Sequence, residues 1–93
     1  MLTKNAQYLI SLCKAFLEGK LPAKTFSSEF ENFFVDDNND FTEEESFFFD
    51  DILQEIAYFE PDEEVRKVEP DLIDENKLKE IVNQTLPELD KLR

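Results

Sequence analysis

The sequence has no histidine, no tryptophan, one cysteine, one methionine and one glycine in 93 residues. Without histidine, a serine or cysteine nucleophile lacks its usual base and the commonest metal ligand is missing. Cys13 has no partner for an internal disulfide, and it lies at helical spacing among Leu9, Leu12, Phe16 and Leu17, where a thiol acts as a small hydrophobe. That usage fits a reducing, cytoplasmic compartment. One glycine and four prolines are too few for a meander of tight β-turns. No apolar run approaches the ~20 residues of a membrane span, and the first residues mix polar with apolar, so neither a signal peptide nor a membrane segment is expected.

The other shortage is local. From Thr25 to Val65 there is no lysine or arginine, while the same stretch has fifteen aspartates and glutamates and nine of the ten phenylalanines. An acidic run is ordinarily a solvated, disordered segment, but one this rich in aromatics has the material for a core and is expected to fold. A folded surface of one sign repels itself, so a strongly positive partner is the benefit to look for. The net charge of −13 argues against direct binding of nucleic acid or an anionic membrane, whose phosphates are engaged by lysine and arginine. A basic protein is the expected partner. Carboxylates are plentiful, yet paired-carboxylate catalysis needs two of them converging in a cleft, for which one small acidic helical domain has little room. The chain is not expected to be an enzyme or to hold a cofactor.

The apolar spacing is helical. Leu9, Leu12, Cys13, Phe16 and Leu17 predict a first helix over about Asn5 to Glu18, with Gly19 as a left-handed terminator. A second helix is expected from about Pro22 to Phe34 or Val35, burying Phe26, Phe30 and Phe33, and the polar tract Asp36 to Asp40 then forms a loop. Thr42 with Glu45 three residues on is a capping box, and Glu43 and Glu44 suit the positive end of the helix dipole. The third helix carries Phe49, Ile52, Leu53, Ile56 and Phe59 on one side and ends near Glu60 and Pro61. Asp62 to Ile73 is a connector with at most a short turn of helix. Asp74 caps a fourth helix with Leu78, Ile81, Val82, Thr85 and Leu86, ended or kinked by Pro87, with Leu89 and Leu92 beyond. Residues 1–93 read as one all-α domain, an antiparallel up-and-down four-helix bundle.

Two chemical motifs fail on inspection. Asp36, Asn38 and Asp40 take the first, third and fifth positions of a calcium loop, but Phe41 replaces the turn glycine and Phe47 the bidentate glutamate. The Asp-Ser-Leu attachment signature of phosphopantetheine carriers is absent. A wheel of the third helix places Phe47, Asp51, Gln54 and Tyr58 opposite the apolar side, flanked by Glu44, Asp50 and Glu55. Outward aromatics ringed by acids have the composition of an interface anchor. Equally open is packing of Phe47 on the Asp36–Phe41 loop and of Tyr58 on the connector.

The segment from Leu12 to Leu21, Leu-Cys-Lys-Ala-Phe-Leu-Glu-Gly-Lys-Leu, followed by Phe26-Ser27, resembles the opening helical hairpin of the colicin D immunity protein family. Phe59-Glu60-Pro61-Asp62, and Asp74 to Lys79 leading into an apolar helix, resemble its second half. The resemblance implies a small four-helix protein of the bacterial cytoplasm that blocks the basic C-terminal nuclease domain of a cognate toxin, as a 1:1 complex. The toxin would be a bacteriocin or a contact-dependent inhibition effector that cuts tRNA, with carboxylates standing in for RNA phosphates. Glu60 and Asp62 carry over as toxin-contacting residues, and Glu63, Glu55, Asp51, Gln54, Tyr58 and Phe47 complete the expected partner-binding set. The chain departs from the family at Ala57, where an acid is expected, and from Phe33 to Asp51, where basic residues give way to acids and phenylalanines. These departures imply an interface either enlarged or shifted toward the third helix. The alternative reading is an acidic nucleic-acid mimic or adaptor that binds a basic host protein unrelated to toxins.

Overall fold

Thr3 starts the first helix by accepting the Ala6 N–H on its hydroxyl at 3.1 Å, and the chain coils as α1 (Lys4–Leu17) in the computed structural model, which describes residues 1–92. The helix ends in a Schellman closure: the Gly19 N–H reaches the Phe16 carbonyl at 3.1 Å, and the Lys20 N–H reaches that of Ala15 at 2.9 Å. Gly19 sits at φ 78°, and a Cβ there would meet nothing within 4 Å. Gly19→Ala is therefore expected to cost about 1–2 kcal/mol from backbone strain alone, read as a lower midpoint in thermal unfolding with an unchanged helical spectrum.

The second helix, α2 (Ala23–Phe34), is preceded by Pro22 as its cap residue, one position outside the expected start. Next, α3 (Glu43–Tyr58) opens with the full capping box of Thr42 and Glu45. The connector holds a six-residue helix, α4 (Glu63–Val68), so the described residues form five helices where four were expected. Asp62 explains the addition. Its carboxylate accepts the Glu64 N–H at 2.9 Å and, with Glu63 and Glu64 behind it, supplies the start signal of a helix. The last helix, α5 (Glu75–Asp90), is capped by Asp74 and runs through Pro87 without ending there. Pro87 lies in the last turn, so the backbone hydrogen bond it forgoes is the one to the Asn83 carbonyl, near the helix end.

Packing follows the sequence of apolar faces. The four long helices form a closed circuit in which α1 touches α2 and α5, and α3 touches α2 and α5. Leu9, Cys13, Phe16, Phe26, Phe30, Phe49, Ile52, Leu78, Val82 and Leu89 meet in the middle, fully buried. The phenylalanines interlock: Phe16 stacks on Phe26 at 4.4 Å, and Phe41, from the loop, sits edge-on to both Phe34 and Phe49. This answers how an acidic segment folds. Phe26, Phe30 and Phe49 are buried, Phe33, Phe34, Phe41, Phe48 and Phe59 pack against them, and Phe47 alone of the nine is exposed. Burial pushes the Cys13 thiol up to about 12, which leaves it un-ionised and unreactive at neutral pH. None of the helices described is long and apolar enough to cross a membrane.

Candidate functional site

The connector is anchored at both ends by a single parallel bridge between Phe59 and Ile73. The Ile73 N–H donates to the Tyr58 carbonyl at 2.8 Å and the Glu60 N–H to the Ile73 carbonyl at 3.0 Å. Arg66 of α4 reaches back and donates to the Glu60 carbonyl at 2.6 Å. Its guanidinium thus braces backbone that has just left α3, keeps its positive charge at the corner, and forms no ion pair among the described residues. Together these bonds fix Phe59-Glu60-Pro61-Asp62 as a defined corner between α3 and α4.

Around that corner the expected residues fall into groups. Glu60 is partly buried, while Asp62 and Glu63 are exposed. One Asp62 oxygen caps α4, so this carboxylate has a structural task beside any contact it makes. Glu55 and Tyr58 line a shallow depression with Asp71 of the connector. Asp51 and Gln54 are exposed one turn earlier, and Gln54 donates to Asp50 at 3.1 Å. Tyr58 is 51% and Phe47 67% exposed. Asp51, Gln54, Glu55 and Tyr58 share one face of α3, and Asp62 and Glu63 follow at the start of α4, whereas Glu60 lines a depression on the α2 side with Lys24, Ser27, Ser28 and Glu31. Phe47 stands one turn before Asp51 on the same face of α3 but eleven residues, about 16 Å, from Tyr58. Phe47 does not pack on the Asp36–Phe41 loop, because Phe41 lies against Phe33, Phe34 and Phe49, on the side of α3 that Phe47 points away from. Phe47 instead meets Phe48 edge-on at 5.3 Å and faces the end of α5.

Two cations stand near this surface, Lys24 in the depression beside Glu60 and Arg66 at the corner itself, and neither is in an ion pair among the described residues. Five ion pairs join Lys20 to Glu18, Lys67 to Glu64, Lys77 to Glu80, Lys79 to Glu75 and Lys91 to Glu88, all of them between near neighbours in sequence. Among the described residues none reaches an acid between Glu29 and Glu63. The chain matches no protein-family model, no curated protein and no solved structure. Among the described residues no three cysteine or carboxylate side chains gather where they could hold a metal ion. In the Asp36–Asp40 loop, Asp36 turns back on the Asn38 N–H at 2.9 Å, and Asn39 donates to the Phe33 carbonyl at 3.1 Å.

One acid differs from the rest. Glu45 is 1% exposed and accepts three hydrogen bonds, from the Thr3 N–H at 2.8 Å, the Thr3 hydroxyl at 2.9 Å and the Thr42 N–H at 3.0 Å. Burial by itself would raise its pKa; these bonds and the nearby chain-terminal ammonium outweigh it and hold the carboxyl below its ordinary 4.5. The capping box was visible in sequence, but the second helix start that Glu45 serves was not. Nothing in the spacing of Thr3 and Glu45 announces a contact across 42 positions.

Proposed function

We propose that this protein is a toxin immunity protein that binds and occludes the basic active-site cleft of a cognate bacterial nuclease, most simply a tRNA-cleaving toxin domain, in a 1:1 cytoplasmic complex. The observation that carries the reading is the stretch from Asp51 to Glu63, a folded acidic surface with a half-exposed tyrosine whose acids form no ion pair among the described residues. Its corner is held by backbone hydrogen bonds at Glu60, and the Asp62 carboxylate is fixed by the Glu64 N–H, a defined placement that suits a mimic of RNA phosphates. Its field speeds encounter with a positive cleft, while the aromatic contacts and hydrogen-bonded carboxylates slow dissociation. No catalytic role is assigned to the chain. The architecture in this reading is an antiparallel up-and-down four-helix bundle with α4 inserted in its last connection. In its support, Thr3 and Glu45 bring the starts of α1 and α3 to one end, where the Met1 ammonium also meets the Leu92 carbonyl at 2.8 Å.

Titration of this protein into a cleavage reaction of total tRNA by a purified candidate nuclease domain tests the reading. The expected result is loss of cleavage at one equivalent, with one discrete tRNA species spared. Cleavage by every basic toxin nuclease tried, undiminished at excess inhibitor, would favour a basic host protein as the partner.

A further inference from the structure

The far end of α3 has a feature that the acidic edge does not use. Phe47, Phe48 and Leu92 form the apolar wall of an open depression of about 620 Å³ between the start of α3 and the end of α5. Glu43 and Glu44 stand on its rim, both exposed and neither in an ion pair among the described residues. Lys91, at the opposite lip, is held by Glu88 at 3.2 Å, so the pair adds no net positive charge there. The three adjacent phenylalanines 47 to 49 explain why the wall is bare. Successive residues on a helix are 100° apart, so with Phe49 buried in the core and Phe48 at its margin, Phe47 must point outward.

We propose that this depression receives an apolar side chain carried on a basic segment of a partner protein, with lysines or arginines on either side meeting Glu43 and Glu44. Charge complementarity selects this occupant. A second copy of the chain would pair the patch with itself about a two-fold axis and set Glu43 and Glu44 against the same acids. An anionic surface is repelled by the same rim and by the net charge of −13. An apolar anchor flanked by cations gains on both counts, burying Phe47 while relieving the field. The proposal deepens the reading above and rests on it only for the sign of the partner's charge.

The test is an amide NMR titration of the full chain with blocked Lys-Phe-Lys, using Lys-Ala-Lys and Glu-Phe-Glu as comparison peptides. Lys-Phe-Lys is expected to move the resonances of Glu43, Glu44, Phe47, Phe48 and Leu92 together, with the other two at least tenfold weaker. Phe47→Ser should remove the effect, and Glu43→Gln with Glu44→Gln should weaken it at least threefold; both variants alter exposed positions, and either alone suffices for the comparison. Equal shifts from Lys-Ala-Lys, shifts spread over the whole acidic face, or a concentration-dependent dimer abolished by Phe47→Ser would each overturn the proposal. The two readings separate cleanly. Peptide capture here by a protein that inhibits no nuclease would remove the toxin and leave the pocket, whereas full inhibition by Phe47→Ser without peptide capture by the parent would do the reverse.

Discussion

Glu60→Lys combined with Asp62→Asn is expected to weaken binding of the cognate nuclease by about 3 kcal/mol, roughly a hundredfold, and to abolish protection of cells that make the toxin. The choice of asparagine at Asp62 comes from the structure. Because the Asp62 carboxylate caps α4 through the Glu64 N–H, its replacement by lysine would remove a cap worth about 1 kcal/mol and confuse a binding defect with a folding one. Asparagine keeps the acceptor and loses the charge. Glu60 lies on the corner held by the Ile73 and Arg66 hydrogen bonds, which engage its backbone and not its carboxylate. Reversal there changes the field without cutting those bonds. The measurements are the dissociation constant by calorimetry and the helical circular-dichroism spectrum. Retained affinity with a normal spectrum would move the interface away from the α3–α4 corner, while a lost spectrum would show that the corner holds the fold.

The second large effect concerns stability. Glu45→Ala is expected to cost about 2–4 kcal/mol, because the Thr3 and Thr42 N–H groups it serves would be left partly buried without acceptors, and hydrogen bonds to a charged group are among the stronger ones. For a domain of this size each kcal/mol lowers the unfolding midpoint by about 4–8 °C, so a fall of at least about 8 °C is expected. The pH dependence has a definite sign. The folded-state carboxyl titrates below its ordinary 4.5, so its contribution is fully present above that value and is lost as the pH falls through the folded pKa. The parent should therefore lose its advantage over Glu45→Gln progressively below about pH 4.5, with the two differing most near neutrality. Parallel curves across that range would mean that the neutral side chain serves Thr3 and Thr42 as well as the carboxylate does.

Much of the architecture was legible because its signals are local. Gly19 terminates α1 in a left-handed conformation, Thr42 and Glu45 open α3, Asp74 caps α5, and the apolar spacing of each long helix names the side it buries. Where local signals were short or in conflict, the reading was incomplete. The six residues of α4 bury no side chain and so show no apolar stripe; only the cap and its acidic first turn mark them. Pro87 was read as an end or a kink, yet the helix continues, since a proline one turn from the end forgoes little while Leu89 gains burial.

The candidate site divided in the same way. Phe47 and Tyr58 face outward, as the wheel of α3 required, because the helical period fixes which residues share a face. That they belong to two different places, with Tyr58 beside Glu55 and Asp71 and Phe47 beside Leu92, depends on which helix end and which connector lie alongside. The sequence by itself determined the helices, their buried faces and the unrelieved acidity of the segment from Thr25 to Val65, since composition and period act over a few residues. Only the tertiary structure decided that Glu45 leaves the acidic surface to join two helix starts, that Arg66 braces a backbone carbonyl, and that an apolar depression opens at one end of α3. Those outcomes depend on contacts between residues far apart in the chain, where a side chain's partner is set by how the helices pack and not by its neighbours in sequence.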